Sequence, residues 1–522
     1  MEKGRFQPSE NWITGMVLLC LGIAILLTNP RFTFMDDEIA MIQDATVPMQ
    51  QTIHSFLAGN GLHRHPPLYD LILAGWMRAT AGRVSLLRVP ATVFYVIGLW
   101  FAIQAARLLG GVGASRAALW IGVIFPYGFH FGRVAGWYSF SFFTVALLTY
   151  AYFRFDERPS WGRWAALVAA SVLAIYTNYF LAVLIGLMVL DYWLRNWRDS
   201  KRVTAAGVTL LVVLLGFAPL LRALEFRVAA DQRLLRPAYS LTTTGLFGGY
   251  NIYTLFVSES VAPWFWYFSV PALMAIALCA CFVLRYGPAS ARRLIIGFSA
   301  CILLMTALNL INTKRLLFLS PWLLLPLALM VAALPRPNLR KTAIMALGLT
   351  GVIGWFGIFS RHYYAAPRLI EPWQPVAERV AVEVKKGAVV IGNNPSFFFY
   401  LTEALRSSES TGTDNFAGTY PVYLQHDGLF DTNQWIKAGK VFGATTLLVK
   451  GAADETFWGS TAATEGVLDQ NCHLEVVERE LPDSGYALKR RWFAGAQQPA
   501  WRIEVRTYEC PGSNETAARL RN

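Results

Sequence analysis

Charge is scarce in this chain. Asp, Glu, Lys and Arg make up only 15% of its 522 residues, against 55% hydrophobic and 14% aromatic side chains, and mean hydropathy is +0.39. That excludes an ordinary single soluble domain, whose core could not bury so much apolar surface. Acids are scarcer than bases, 33 Asp+Glu against 46 Lys+Arg, for a net charge of +13. A nucleic-acid partner would explain such an excess. The distribution excludes it, because many of the bases sit in short loops between apolar runs, where a membrane protein keeps its cytoplasmic cations. Small residues that would mark a cleavage site are missing after the run from Trp12 to Leu27 that follows Lys3 and Arg5, so this run reads as an uncleaved first span. Internal repeats and low-complexity tracts are also missing. Cysteine is sparse: Cys20, Cys279, Cys281 and Cys301 lie in apolar runs, leaving Cys472 and Cys510 in the polar tail. Those two are either a disulfide, in an oxidising compartment, or two buried thiols.

What is present is a series of apolar runs of roughly 15 to 21 residues, read as bilayer-crossing helices. Runs at 12–29, 89–108, 116–131, 139–153, 163–178, 180–194, 203–221, 264–284, 293–310, 318–334 and 342–360 give about eleven spans. The segment 66–81 is short and carries Asp70 and Arg78. Keeping it out of the membrane puts the basic loops Arg107 to Arg116, Arg154 to Arg163, Arg195 to Arg202, Arg285 to Arg293 and Arg336 to Lys341 on the cytoplasmic side, and making it a span would put them all outside. It therefore reads as a juxtamembrane helix at the outer interface. The expected architecture is a polytopic α-helical membrane protein with a transmembrane domain over 1–360 and an outer catalytic loop over 30–88. A second long outer loop covers 222–263, and an extracytoplasmic α/β domain covers 361–522. The N-terminus is cytoplasmic in this reading, and the tail lies outside a bacterial plasma membrane. Within the tail, a helical pattern from Trp373 to Lys385 precedes the buried-strand runs Ala388 to Gly392 and Thr445 to Val449.

Candidate chemistry gathers at the outer ends of the spans. Asp36, Asp37 and Glu38 are consecutive carboxylates just after the first span. Neighbouring like charges raise one another's pKa and can make a general base or a metal ligand, while Asp is also a good helix N-cap. His63 and His65 flank Arg64 ahead of Pro66-Pro67, a pattern open to a metal or an anion. Arg133 and the pair Lys314-Arg315 are outer cations. Snorkelling to the interface explains most such residues, but a lipid phosphate is the natural partner of a guanidinium. The outer loop at 222–263 adds Arg227, Arg233 and Arg236 among aromatic residues.

Taken in order, Asp37-Glu38, His65-Pro66-Pro67-Leu68-Tyr69, Leu87-Arg88-Val89-Pro90-Ala91, Arg133 with Tyr138, Thr177-Asn178-Tyr179-Phe180 and Arg315 closely resemble the C-type membrane glycosyltransferases of the protein O-mannosyltransferase and lipid A aminoarabinose transferase superfamily. The tail from Pro372-Trp373 also looks like the periplasmic domain of bacterial members. The resemblance implies inverting transfer of a hexosyl or pentosyl group from a polyprenyl-phosphate donor to a lipid, glycan or protein acceptor. By motif position Asp37 is the base, with Glu38 and Asp36 beside it. Arg133, Arg315 and Lys314 bind the donor phosphate, and His65, His63, Tyr69, Arg88 and Tyr138 line the donor and acceptor pocket. A divalent cation, if one is used, would fall to Asp37, Glu38 and His65. The family often has a second arginine three residues after the first, where this chain has Gly136; Lys314, Arg227, Arg233 or Arg236 can take that part.

Rival readings fit less well. A phosphotransferase wants a dense metal cluster or a nucleophilic Thr or Ser in the soluble domain. A transporter or flippase wants ionisable residues at the membrane midplane. A scaffold would not need the acids at 36–38.

Overall fold

A computed structural model describes residues 8–58, 66–225, 240–308, 313–364, 373–392, 394–406, 422–424, 445–451, 461–480 and 503–510. The chain divides into two compact units. One comprises Met1–Pro30 with Ala40–Ala365, the other Arg31–Ile39 with Ala366–Asn522.

The first unit is helical. Its elements are α1 (Pro8–Thr28), α2 (Asp36–Thr46, which begins in the second unit), α3 (Met49–Ala58), α4 (Leu68–Ala79), α5 (Val89–Ile124), α6 (Pro126–Phe131), α7 (Trp137–Glu157), α8 (Trp161–Ile175) and α9 (Leu181–Asn196). They continue with α10 (Ser200–Phe217), α11 (Leu241–Val257), α12 (Trp266–Tyr286), α13 (Ala289–Ala307), α14 (Ser320–Ala333) and α15 (Pro337–Ser360). Six helical stretches among the described residues are long and apolar enough to cross a membrane, and Trp161–Ile175 and Leu317–Ala333 are shorter apolar helices. Helix α5 packs on α1, α7 and α14, making the centre of the unit.

Three details refine the reading of the sequence. The 36 residues of α5 would run about 54 Å as one rod, but Gly111 adopts φ 71°, ψ −162°, which breaks it into two helices. The run read as one span over 116–131 ends at Ile124, with a separate short helix over Pro126–Phe131. The cause is Pro126, which disfavours helical backbone at the residue before it; Phe125 is extended, at φ −69°, ψ 103°. The segment read as a long loop over 222–263 contains the helix Leu241–Val257, N-capped by Ser240, whose hydroxyl accepts the Thr243 amide. Helix α4, at 12 residues, is about 18 Å long, too short for a hydrocarbon core of about 30 Å.

The second unit is built on a five-stranded sheet in the order β2-β1-β3-β5-β4, from β1 (Val389–Gly392), β2 (Val422–Leu424), β3 (Thr445–Gly451), β4 (His473–Glu480) and β5 (Ile503–Glu509). β1 pairs parallel with β2 and β3, whereas β5 runs antiparallel to β3 and β4. Helices α16 (Trp373–Lys385) and α17 (Pro395–Arg406) pack on one another. They bury Trp373, Val380, Phe397 and Leu401 with Val390, Leu447 and Val449 of the sheet. Helix α18 (Ala462–Asn471) places Leu468 against Ile391, Leu448 and Tyr508. The register sets His473 opposite Glu509, bringing together the flanking Cys472 and Cys510, which are disulfide-bonded.

The N-terminal segment of this unit is tied in by Phe34. Its amide donates to the Tyr400 hydroxyl at 3.1 Å, its carbonyl accepts from Ser396 Oγ at 2.9 Å, and its ring lies 5.0 Å from that of Phe399. The acidic motif thus folds with a partner more than 360 residues away.

Candidate active site

The polar centre of the helical unit forms around α6. Gly128 and Gly132 let α6 lie against Tyr95 of α5. A Cβ at Gly128 would sit 2.0 Å from the Tyr95 hydroxyl, and one at Gly132 would sit 2.4 Å from the Gly128 carbonyl. Held this closely, α6 and Arg133 just beyond it send polar groups to three other segments.

The first contact is through Arg133. Its side chain is 1% exposed, and its guanidinium donates to the Phe129 carbonyl at 3.2 and 3.3 Å and to Thr28 Oγ1, at the end of α1, at 3.0 Å. The cation also lies over the Phe129 ring, 4.6 Å from its centroid. Arg88, also buried, donates to the Asn29 carbonyl at 3.2 Å. Burying two guanidinium groups is costly unless their charge is used, and both act electrostatically on His130.

The second contact is through His130, whose Nδ1 shares a 2.7 Å hydrogen bond with Ser258 Oγ. The third is through Tyr127. Its hydroxyl donates to the Thr313 carbonyl at 2.5 Å and accepts the Leu316 amide at 3.1 Å. Both ends of the turn Thr313–Arg315 are thereby fixed by one buried phenol. Arg315 is half-buried, and its Nε is enclosed with no hydrogen-bonding partner among the described residues. An enclosed cationic N–H of this kind is a ready donor for an anion.

Two features of this centre were not anticipated from the sequence. Glu259 is buried and accepts a short hydrogen bond from the Thr313 hydroxyl and another from Tyr250. Tyr364 is fully buried edge-on to His130, with ring centroids 5.5 Å apart. Its hydroxyl has no hydrogen-bonding partner among the described residues. Burial pushes the Tyr364 phenol up, Arg133 and Arg361 pull it down, and Glu259 adds to the rise. The signal for Glu259 was a lone acid in the otherwise uncharged, aromatic-containing stretch from 240 to 263. An apolar cavity of about 340 Å³, lined in part by Trp120, Ile124, Pro126, Phe256 and Leu347, opens beside the start of α6.

The other sequence candidates fall as follows. Tyr69 is buried on α4, its ring 6.1 Å from Phe140, and Tyr138 is buried against Trp137 at the start of α7. Asp37 is half-buried in the first turn of α2. Glu38 is fully buried, and its Oε2 accepts the Met35 amide at 2.9 Å. That is the return half of a capping box, so Glu38 fixes the start of the helix that carries Asp37. His63, His65, Arg227, Arg233 and Arg236, and the side chains of Asp36 and Lys314, lie outside the described residues. Among the described residues no group of three or more His, Cys, Asp or Glu side chains could hold a metal ion.

Residues 64–222 match the family described as dolichyl-phosphate-mannose-protein mannosyltransferase. Over that segment, less than half of the chain, the protein is similar to these membrane mannosyltransferases. Two crystal structures of ArnT from Cupriavidus metallidurans are similar to it. That of the apo state is 12% identical, with 96% of this chain and 98% of that one covered and a TM-score of 0.46. That of ArnT bound to undecaprenyl phosphate is 13% identical with the same coverage and a TM-score of 0.43. No curated protein matches this chain. The family match takes in Tyr69, Arg88, Tyr127, Arg133 and Tyr138, and ends before Glu259 and Arg315.

Proposed function

We propose that this protein is a C-type membrane glycosyltransferase that moves a hexosyl or pentosyl group from a polyprenyl-phosphate carrier to a lipid, glycan or protein hydroxyl, with inversion, at the outer face of a bacterial plasma membrane. Asp37 takes the proton of the acceptor hydroxyl, and the oxygen forms a bond to the anomeric carbon. The bond from that carbon to the carrier phosphate breaks, its electron pair staying on the phosphate oxygen.

Because the donor is a phosphodiester and the departing carrier a monoester, negative charge grows on the phosphate during the reaction. Cations fixed in place before that charge appears stabilise the transition state more than the bound donor. Arg133 and Arg315 supply them, and Lys314 adds a third. The observation that carries this reading is the enclosed Nε of Arg315, without a partner among the described residues, on a turn clamped at both ends. The ring of His65, the Tyr69 and Tyr138 side chains and Arg88 shape the sugar pocket in this account. The apolar cavity beside α6 suits part of an isoprenoid tail.

The outer location rests on the basic loops between spans, which the positive-inside bias assigns to the cytoplasm. The test is release of free polyprenyl phosphate by purified protein supplied with a panel of polyprenyl-phosphate sugars and a cell-envelope extract as acceptor. Release from one donor is expected, and none from any donor counts against the function.

A further inference from the structure

Glu259 has no part in the function proposed above, yet the chain goes to unusual lengths to hold it. The residue before it, Ser258, sits at φ 62°, ψ −176°, a backbone region that side chains rarely adopt and that persists only where the surroundings force it. Here they do. Ser258 is hydrogen-bonded to His130 at 2.7 Å, and Ser260 Oγ donates to the carbonyls of Val257 and Gly354 at 2.6 and 2.8 Å. The bend that results brings the Glu259 carboxylate to the Thr313 hydroxyl.

A neutral acceptor would satisfy Thr313 without the cost of burying a charge. What a carboxylate adds is strength, since a hydrogen bond to an ionised acceptor is roughly twice as strong as a neutral one. The backbone of the turn is already held by Tyr127 at Thr313 and at Leu316. Glu259 grips its side chain as well, and the turn it grips is the one that carries Arg315. The carboxylate also acts electrostatically on Tyr364, as does Arg133, so it belongs to the same polar centre as the buried cations.

We infer that Glu259 is a positioning residue for the donor phosphate, holding the turn Thr313–Arg315 in the place where Arg315 meets it. This rests on the phosphate role given to Arg315 above. The test uses the full chain in detergent and three variants, Glu259→Ala, Glu259→Gln and Thr313→Val. Three quantities are read on each: binding of undecaprenyl phosphate by calorimetry, hydrogen exchange over residues 313–319, and the midpoint of thermal unfolding.

Glu259→Ala should weaken undecaprenyl phosphate binding by about tenfold or more, the scale on which small misplacements of a positioned group act. It should also speed exchange over 313–319 with little change in the midpoint. Thr313→Val should do the same, and Glu259→Gln, which keeps an amide oxygen to accept from Thr313 but loses the carboxylate, should restore only part of both. Binding and exchange unchanged in Glu259→Ala, with the wild type binding normally, would overturn the role of Glu259 alone. A wild type that does not bind undecaprenyl phosphate at all would overturn the phosphate reading, and with it the use assigned to Glu259.

Discussion

One hydroxyl, that of Tyr127, closes the turn before Leu316: it accepts the Leu316 amide at 3.1 Å while donating to the Thr313 carbonyl at 2.5 Å. The two residues are 189 positions apart in the chain, and their bond ties α6, with Arg133 just beyond it, to the turn that bears Arg315. Tyr127→Phe keeps the ring and removes both bonds, leaving a buried amide unmet at a cost of about 1–3 kcal/mol and a part-buried carbonyl at somewhat less. Donor binding should weaken by about tenfold or more on that scale, while acceptor affinity is little changed. Donor and acceptor KM values for the variant check this, and a rise in both together would contradict it.

The approach of α6 to α5 depends on Gly132. A Cβ there meets the Gly128 carbonyl at 2.4 Å and the Tyr95 ring at 2.7 Å, and backbone on one side leaves little room to give. Gly132→Ala should destabilise the helical unit by about 1–3 kcal/mol, the usual scale of overpacking, and displace Arg133. Thermal unfolding in detergent measures the first effect, and loss of transfer beyond what the lowered midpoint explains measures the second. Gly162→Ala, with nothing within 4 Å of the added carbon, is the control and should change neither.

Asp70 gives a pH dependence. On α4, which is too short to span, it is 4% exposed. Burial, with the charge of Asp44 adding to it, holds its carboxyl well above the ordinary value. The folded state therefore binds this proton more tightly than the unfolded chain does, and stability falls as pH rises from the ordinary carboxylate value, about 4, through the raised one. Asp70→Asn cannot ionise and should lose that decline. Its unfolding midpoint should gain on the wild type as pH rises across this window, and parallel midpoint curves for the two proteins would refute the assignment.

Much of the fold was legible because its signals are local. Apolar runs marked the helices, the amphipathic pattern at 373–385 gave the helix Trp373–Lys385, and the Val and Leu runs at 389 and 445 gave strands of a parallel pair. Pro126 broke an apolar run by the same local logic, although the run alone had read as continuous. What could not be read depends on residues far apart. Phe34 carries no mark that it will pack on Phe399 and Tyr400, so the acidic motif looked like part of a membrane-surface loop. Glu259 passed as an acid among aromatics until Thr313, 54 residues on, appeared beside it. Among the candidate site residues, Arg88 and Arg133 were proposed from type and place alone. Their burial, and the α6 scaffold that supplies it, belong to tertiary structure.

The central claim is that a carboxylate at position 37 drives glycosyl transfer from a polyprenyl-phosphate carrier, and its most direct test is mass-spectrometric turnover of the purified wild type beside Asp37→Asn. Asparagine keeps the size and helix-start character of the residue but cannot take the acceptor's proton. The account predicts sugar transfer and release of polyprenyl phosphate by the wild type, with both lost in a variant that still folds and still binds undecaprenyl phosphate. Undiminished transfer by Asp37→Asn would contradict it.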